Sequence, residues 1–393
     1  MKTFKWSLIN DNIIDEDKLK IVNFVTSPNV RFTQSRYVKE FENKWSGWLG
    51  IKHTTFVNSG ASANWVMASA LRETVGVGEV IMSPLGWVSD IVPFLELGFT
   101  PVFVDIDPRT MSIDVNEVKK AITPSTKAVL AIHVLGFNAL TDELLDVCNR
   151  LKIMLLEDCC EAHGATFDGK KVGTHGLMSN FSFYFGHHMT TIEGGTVCTN
   201  DDEVYEIVRM LRSHGMTREA SVKAQQKYQD QYPQLNPLFT FAVPGYNVRS
   251  TEINAVLGIS QLHRLDENIR VRCDNLQTWL HYLSEDKFVV DYQTEGSSNF
   301  SLPLVLKKKS AIGFLEVQRI LSDADVEFRL GTAGGGNQSM QPYLVRFRNN
   351  YHQHNMQQLN HIHEFGLYVG NHTEVTTSMI QDLCQKLNQV EIS

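Results

Sequence analysis

Long apolar runs are missing from this sequence: no stretch approaches the roughly 20 residues that a bilayer-spanning helix needs. The start, Met1-Lys2-Thr3-Phe4-Lys5-Trp6, carries two positive charges with no apolar core behind them, so it does not read as a secretion signal. Cysteine is sparse and scattered. The six thiols, Cys148, Cys159, Cys160, Cys198, Cys273 and Cys384, form no CxxC pair and share no ligand spacing with histidine. That pattern excludes a disulfide framework, gives no metal site, and points to a reducing compartment, the cytoplasm. Positive charge is in deficit too. With 36 Lys and Arg against 44 Asp and Glu, the net charge of −8 excludes the basic footprint of a nucleic-acid binder. Neither a GK[ST] phosphate loop nor a GxGxxG fingerprint after a strand is present, and there is no internal repeat or low-complexity tract. One absence is local: no lysine occurs between Lys171 and Lys223.

What is present fits a large α/β protein. At 393 residues two domains are expected, enough to bury roughly three quarters of the unfolded surface without covalent staples. From about residue 55 to 200, short β-branched runs alternate with amphipathic helical segments. Val80-Ile81-Met82, Val102-Phe103-Val104, Val129 to Ile132 and Ile153 to Leu156 read as buried strands. Phe181 to Tyr184 and Thr196 to Cys198 add two more, close enough in sequence to be neighbours. Asp114 with Glu117, and Asn200 with Glu203, read as helix starts. The alternation predicts a large, mostly parallel sheet covered on both faces, over residues 1–250 with an N-terminal helical arm. One long connecting helix is expected over 251–283, then a small α+β domain over 284–393 with a strand at Leu302 to Leu306, a helix at Ala311 to Leu321, a strand at Val326 to Phe328 and a terminal helix. Gly334-Gly335-Gly336 reads as a mobile loop, since glycine costs most to order.

Three short stretches bear on chemistry. Asn58-Ser59-Gly60-Ala61-Ser62-Ala63-Asn64 is a small-residue turn opening onto a helix, where backbone N–H groups favour an anion. Alone it is commonplace. Leu155-Leu156-Glu157-Asp158 is a buried strand ending in carboxylates at the edge where α/β sheets bind ligands, although a helix cap explains such a residue equally well. Asn180 to Gly195 holds His187 and His188, adjacent histidines that rarely share one ion and are usually structural.

Together and in this order, the three stretches resemble the sugar aminotransferase family of pyridoxal-phosphate (PLP) fold type I, whose members act on nucleotide-linked keto sugars. The resemblance spans nearly the whole chain, including Val104-Asp105-Ile106-Asp107, His133-Val134-Leu135-Gly136, Ser213 to Arg218 and Pro244 to Arg249. It implies the aspartate aminotransferase fold and assigns roles by position. Asp158 would pair with the pyridine nitrogen, making the ring an electron sink. The Gly60 and Ala61 amides and the Ser182 hydroxyl would hold the cofactor phosphate. Trp87 would stack on the ring and Glu161 would sit near its hydroxyl. Asn247 would reach the phosphate of a partner subunit, which implies a homodimer with shared active sites.

The chain departs from that family at one point. Its aminotransferases carry a lysine six residues before Glu-Gly-Gly, and counting back six from Glu193 lands on His187. Imidazole moves protons near neutral pH but cannot hold an aldehyde covalently. The swap resembles the lysine-less 3-dehydratases of 3,6-dideoxy-sugar synthesis. It implies removal of the C3 hydroxyl from a nucleotide-linked 4-keto-6-deoxy sugar, with GDP favoured by likeness, His187 as proton-transfer base and L-glutamate restoring the amine form (PMP) of the cofactor. A related dehydratase adds an iron–sulfur cluster and a reductase partner. Here only Cys198, Cys273 and Cys384 follow His187, and three isolated cysteines cannot supply four thiolates, so neither is expected. An aminotransferase and a catalytically silent PLP-binding regulator are the competing readings. His188, Arg218 and Arg329, with the loop from Gly331 to Asn337, are candidate substrate contacts.

Overall fold

The computed structural model describes residues 4–392. Eight strands form one sheet in the order 53–57, 195–199, 178–182, 154–158, 126–132, 79–82, 100–103, 352–353. The strand Gly195–Thr199 runs antiparallel to both of its neighbours; the other adjacent pairs are parallel. Apolar β-branched side chains on both faces explain the arrangement. Val80, Ile81, Val129, Leu130 and Leu156 are all sealed from solvent between helical layers. A second sheet of three antiparallel strands, ordered 301–305, 366–370, 328–330, is built wholly from the C-terminal part of the chain.

Several boundaries differ from expectation for identifiable reasons. The strand placed at Phe181 to Tyr184 is Met178–Ser182, so Ser182 is its last residue. Asp114 does cap its helix, but at the second start Asp201 caps instead of Asn200, whose side chain accepts from the Lys52 amide. The long connecting helix is two, Glu252–Leu262 and Leu265–Tyr282, broken at His263 and Arg264. The second small-sheet strand is Phe328–Leu330; Val326 instead bridges Trp6 of the N-terminal segment. Gly366–Gly370, the middle strand of that sheet, was not anticipated. The triglycine segment is ordered. Thr332, Ala333 and Asn337 are buried, and Gln338 donates from its amide to the Pro84 carbonyl at 2.9 Å.

Candidate functional site

The carboxyl ends of the parallel strands converge on one edge of the large sheet, where side chains from separate crossovers face a common crevice. A cavity of about 590 Å³ opens there, lined among others by Ser59, Gly60, Ala61, Trp87, Asp90, Asp158, Glu161, Ser182, His187 and Arg329. The helix Gly60–Val75 points its N-terminus at this cavity, with the Ser59 hydroxyl capping the Ser62 amide at 3.0 Å. Gly60 is required by contact. A Cβ there would lie 2.6 Å from the Ser182 Cβ and 2.9 Å from its Oγ. The bare backbone amides at 60 and 61 and the Ser182 hydroxyl therefore form one cradle of donors at the positive end of a helix.

Asp158 ends the strand Met154–Asp158 and is held by three donors. The Cys160 amide reaches Oδ1 at 2.9 Å, while the Asn64 and Asn180 side-chain amides reach Oδ2 at 3.0 and 2.9 Å. Asn64 gives its other hydrogen to Asp90 Oδ1 at 2.9 Å, and Asp90 Oδ2 accepts from the Trp87 amide at 2.7 Å. Burial first, and then the neighbouring charge of Asp158, push the Asp90 carboxyl well above the usual carboxylate range. Glu161, which accepts from the Leu135 amide at 2.7 Å, is raised by burial to about 7.

His187 forms part of the cavity wall beside Phe300 and Tyr184, its ring 5.3 Å from that of Phe300. Burial drives its pKa down to about 4, against the opposing pull of Asp158, so the imidazole is a free base at neutral pH; its Nδ1 is buried with no partner. His188 points elsewhere. It is fully buried, its Nε2 lies 3.1 Å from the Ser298 carbonyl and its ring 5.2 Å from that of His163.

Of the residues singled out from sequence, Gly60, Ala61, Trp87, Asp158, Glu161, Ser182, His187 and Arg329 share the cavity. Three lie outside it. His188 is packed behind His187 as described, Asn247 is exposed on the surface, and Arg218 lies over the Phe239 ring at 5.8 Å. Sequence reasoning passed over Asn64, Asp90, His133, Tyr184, Phe300, Tyr368 and the N-terminal pair Leu8 and Ile9, all of which line the cavity. Only Asp90 left a local trace, as the acidic residue three positions after Trp87 whose carboxylate accepts from the Trp87 amide at the helix start. Ligand atoms of His133, Glu157 and Cys159 also converge, but both Glu157 oxygens are taken by the Gly173, His175 and Gly176 amides, which fixes this set as structure.

The cavity has the donor set that PLP requires. An anion cradle closed by Gly60 stands near a carboxylate that can accept from a ring N–H, and a second carboxyl, Glu161, lies nearby. None of the lining residues is a lysine. The profile of the DegT/DnrJ/EryC1/StrS aminotransferase family matches residues 12–388. The GDP-4-keto-6-deoxy-D-mannose 3-dehydratase of Yersinia pseudotuberculosis is 33% identical over 375 residues, 94% of this chain and 95% of that protein. A structure of the Escherichia coli GDP-4-keto-6-deoxy-D-mannose 3-dehydratase with bound hydrated PLP superposes with a TM-score of 0.89 at 32% identity, covering 98% of this chain and all (100%) of that one. A GDP-4-keto-6-deoxymannose 3-dehydratase structure holding a trapped PLP–glutamate geminal diamine gives a TM-score of 0.87 at 31% identity, covering 98% and 100%. The architecture is that of PLP fold type I.

Proposed function

The chain belongs to the DegT/DnrJ/EryC1/StrS aminotransferase family, and from that premise we propose that it is a PLP- and PMP-dependent lyase, a 3-dehydratase. Its substrate is a nucleotide-linked, GDP-carrying 4-keto-6-deoxy sugar from which the C3 hydroxyl is removed in 3,6-dideoxy-sugar biosynthesis, for a surface polysaccharide. One observation carries the reading: a histidine that is a free base, His187, stands in the wall of a cofactor-shaped cavity with no lysine among its lining residues. An aminotransferase needs a primary amine there, and this cavity offers none.

When bound, the cofactor supplies an electron sink conjugated to the substrate. The protein's share is positional and protonic. The Gly60 and Ala61 amides with the Ser182 hydroxyl would hold the phosphate, the Asp158 carboxylate would accept the ring N–H, Glu161 would serve the ring hydroxyl and Trp87 the ring face. His187 is unprotonated at neutral pH, so it can accept a proton and return it without first losing one. L-glutamate as amino donor is supported by the glutamate adduct trapped in the similar dehydratase. Only three cysteines follow His187, which argues for a route without an iron–sulfur cluster or reductase. Arg329, at the cavity wall beside Tyr368, is the better placed of the two arginines to meet sugar or diphosphate.

A homodimer completes the site in this reading. Leu238, Phe239, Phe241 and Tyr246, in the stretch leading to Asn247, are exposed large apolar side chains, and such a group marks an interface. Six free cysteines suit a cytoplasmic location, and no described helix is long and apolar enough to cross a membrane. The test is incubation with PLP, glutamate and GDP-4-keto-6-deoxymannose. A keto-dideoxy product with released ammonia supports the dehydratase. A GDP-amino sugar would make the protein a transaminase, and no turnover a binding regulator.

A further inference from the structure

The buried acid at position 90 has no role in the mechanism above, yet it is wired to both sides of the cofactor cavity. Its two oxygens are spent on different elements. Oδ2 takes the Trp87 amide at 2.7 Å, and Oδ1 takes one hydrogen of the Asn64 amide at 2.9 Å. The other hydrogen of that same nitrogen goes to Asp158 Oδ2 at 3.0 Å. Asp90 and Asn64 are 2% and 1% exposed, so water cannot substitute for either bond. The backbone in front of Trp87 is pressed onto the same carboxyl: a Cβ on Gly86 would lie 2.6 Å from Asp90 Oδ2.

We propose that Asp90 is a positioning residue that couples Trp87, on the face of the cofactor ring, to Asp158, at its nitrogen, through Asn64. The inference rests on the PLP-binding reading of the cavity and adds a residue to it. One side chain fixes where the Trp87 backbone starts its helix, Val88–Glu96, and how the Asn64 amide is turned. The turned amide in turn fixes which Asp158 oxygen is left for the ring. The chemistry of the pair agrees. Two carboxyls sharing one donor in a dry site cannot both be charged. Asp158 accepts from three donors and Asp90 from two, and burial together with the nearby Asp158 pushes the Asp90 carboxyl well above the usual carboxylate range. Asp90 acts through Trp87 and Asn64 and is not itself a proton-transfer group. The other titratable groups whose fields reach it are Cys160 and Glu161, in the turn after Asp158, and Tyr343, on the short helix Pro342–Val345.

The experiment compares Asp90→Ala with Asp90→Asn, reading PLP affinity by equilibrium dialysis and ring orientation by the induced circular dichroism of the bound cofactor. Asparagine keeps one acceptor, which can serve the Trp87 amide, but then turns its own NH2 toward the Asn64 donor, so it retains one of the two bonds and loses the other. Asp90→Ala is expected to weaken PLP binding about tenfold or more, the size of one or two buried hydrogen bonds, and to reduce the induced signal. Asp90→Asn, which breaks the link to Asn64, is expected to weaken PLP binding by several fold and to alter the induced signal, with a smaller loss than Asp90→Ala. If Asp90→Ala does not fold, Asp90→Ser is read on the same scale. A folded Ala, Ser or Asn variant with parental affinity and spectrum overturns the coupling. Failure of the parent itself to bind PLP overturns the cofactor reading and this inference together, so the two failures are told apart by the parent.

Discussion

An imidazole can take a proton but cannot hold an aldehyde, so the exchange at position 187 separates two jobs that one lysine performs elsewhere in the family. His187→Asn is therefore expected to bind PLP as the parent does, since Asp158, Ser182 and the Gly60 cradle are untouched. Dehydration should fall by about 10² to 10⁴, the usual worth of positioned acid–base catalysis. His188→Asn tests the neighbouring ring. His188 is bonded to Ser298 outside the cavity, so its loss should lower thermal stability more than turnover. An active His187→Asn enzyme alongside a folded but dead His188→Asn enzyme would reverse the assignment. At this scale the sequence was legible where chemistry is local. Asp158 sits at a strand end and His187 at a fixed distance from Glu193. Asn64 and Asp90 were not legible, because their value lies in bonds spanning 26 and 94 positions that no local pattern encodes.

Elements were easier to read where burial on both faces forces apolar runs, as in Val80 to Met82 and Val129 to Ile132. The small sheet was harder. Its middle strand, Gly366–Gly370, is five residues long and directly follows the helix Gln357–Phe365, so no loop separates the two. The loop through the triglycine was misjudged because its order comes from tertiary docking. Leu85 bridges Asn337, and Gly334, at φ +58°, packs so closely on the Gly86 carbonyl that a Cβ would lie 2.0 Å from that oxygen. Ala333, next to it, lines the cavity. Gly334→Ala is expected to push the loop off the Pro84–Trp87 segment at a cost of about 1–3 kcal/mol, combining clash with left-handed strain. The measurable result is faster limited proteolysis within residues 331–341 and weaker binding of the nucleotide sugar. Parental protease resistance and binding would mean that the docking contributes nothing to the site.

At the scale of the whole molecule, a single chain leaves an apolar surface that a soluble enzyme rarely tolerates beside its active site. Leu238, Phe239, Phe241 and Tyr246 are each more than half exposed, and Trp87, assigned to the ring face, is 59% exposed. Asn247 lies among them, also exposed, on the segment that bridges Ser213, and it does not line its own chain's cavity. A twofold pairing accounts for these facts at once, because an isologous contact brings each copy's Asn247 segment towards the other copy's cavity. A stable interface of this kind buries about 1,200–2,000 Å² in total, and a charge placed in its apolar centre is strongly unfavourable. Phe239→Asp is therefore expected to shift the protein from dimer to monomer in sedimentation. PLP retention should fall with it, although residue 239 lines no part of the cavity. Asn247→Ala separates the two effects: the dimer should persist while cofactor affinity drops by several fold, as for loss of one hydrogen bond to a charged group. A Phe239→Asp monomer that holds PLP as tightly as the parent would show that each chain builds its site alone.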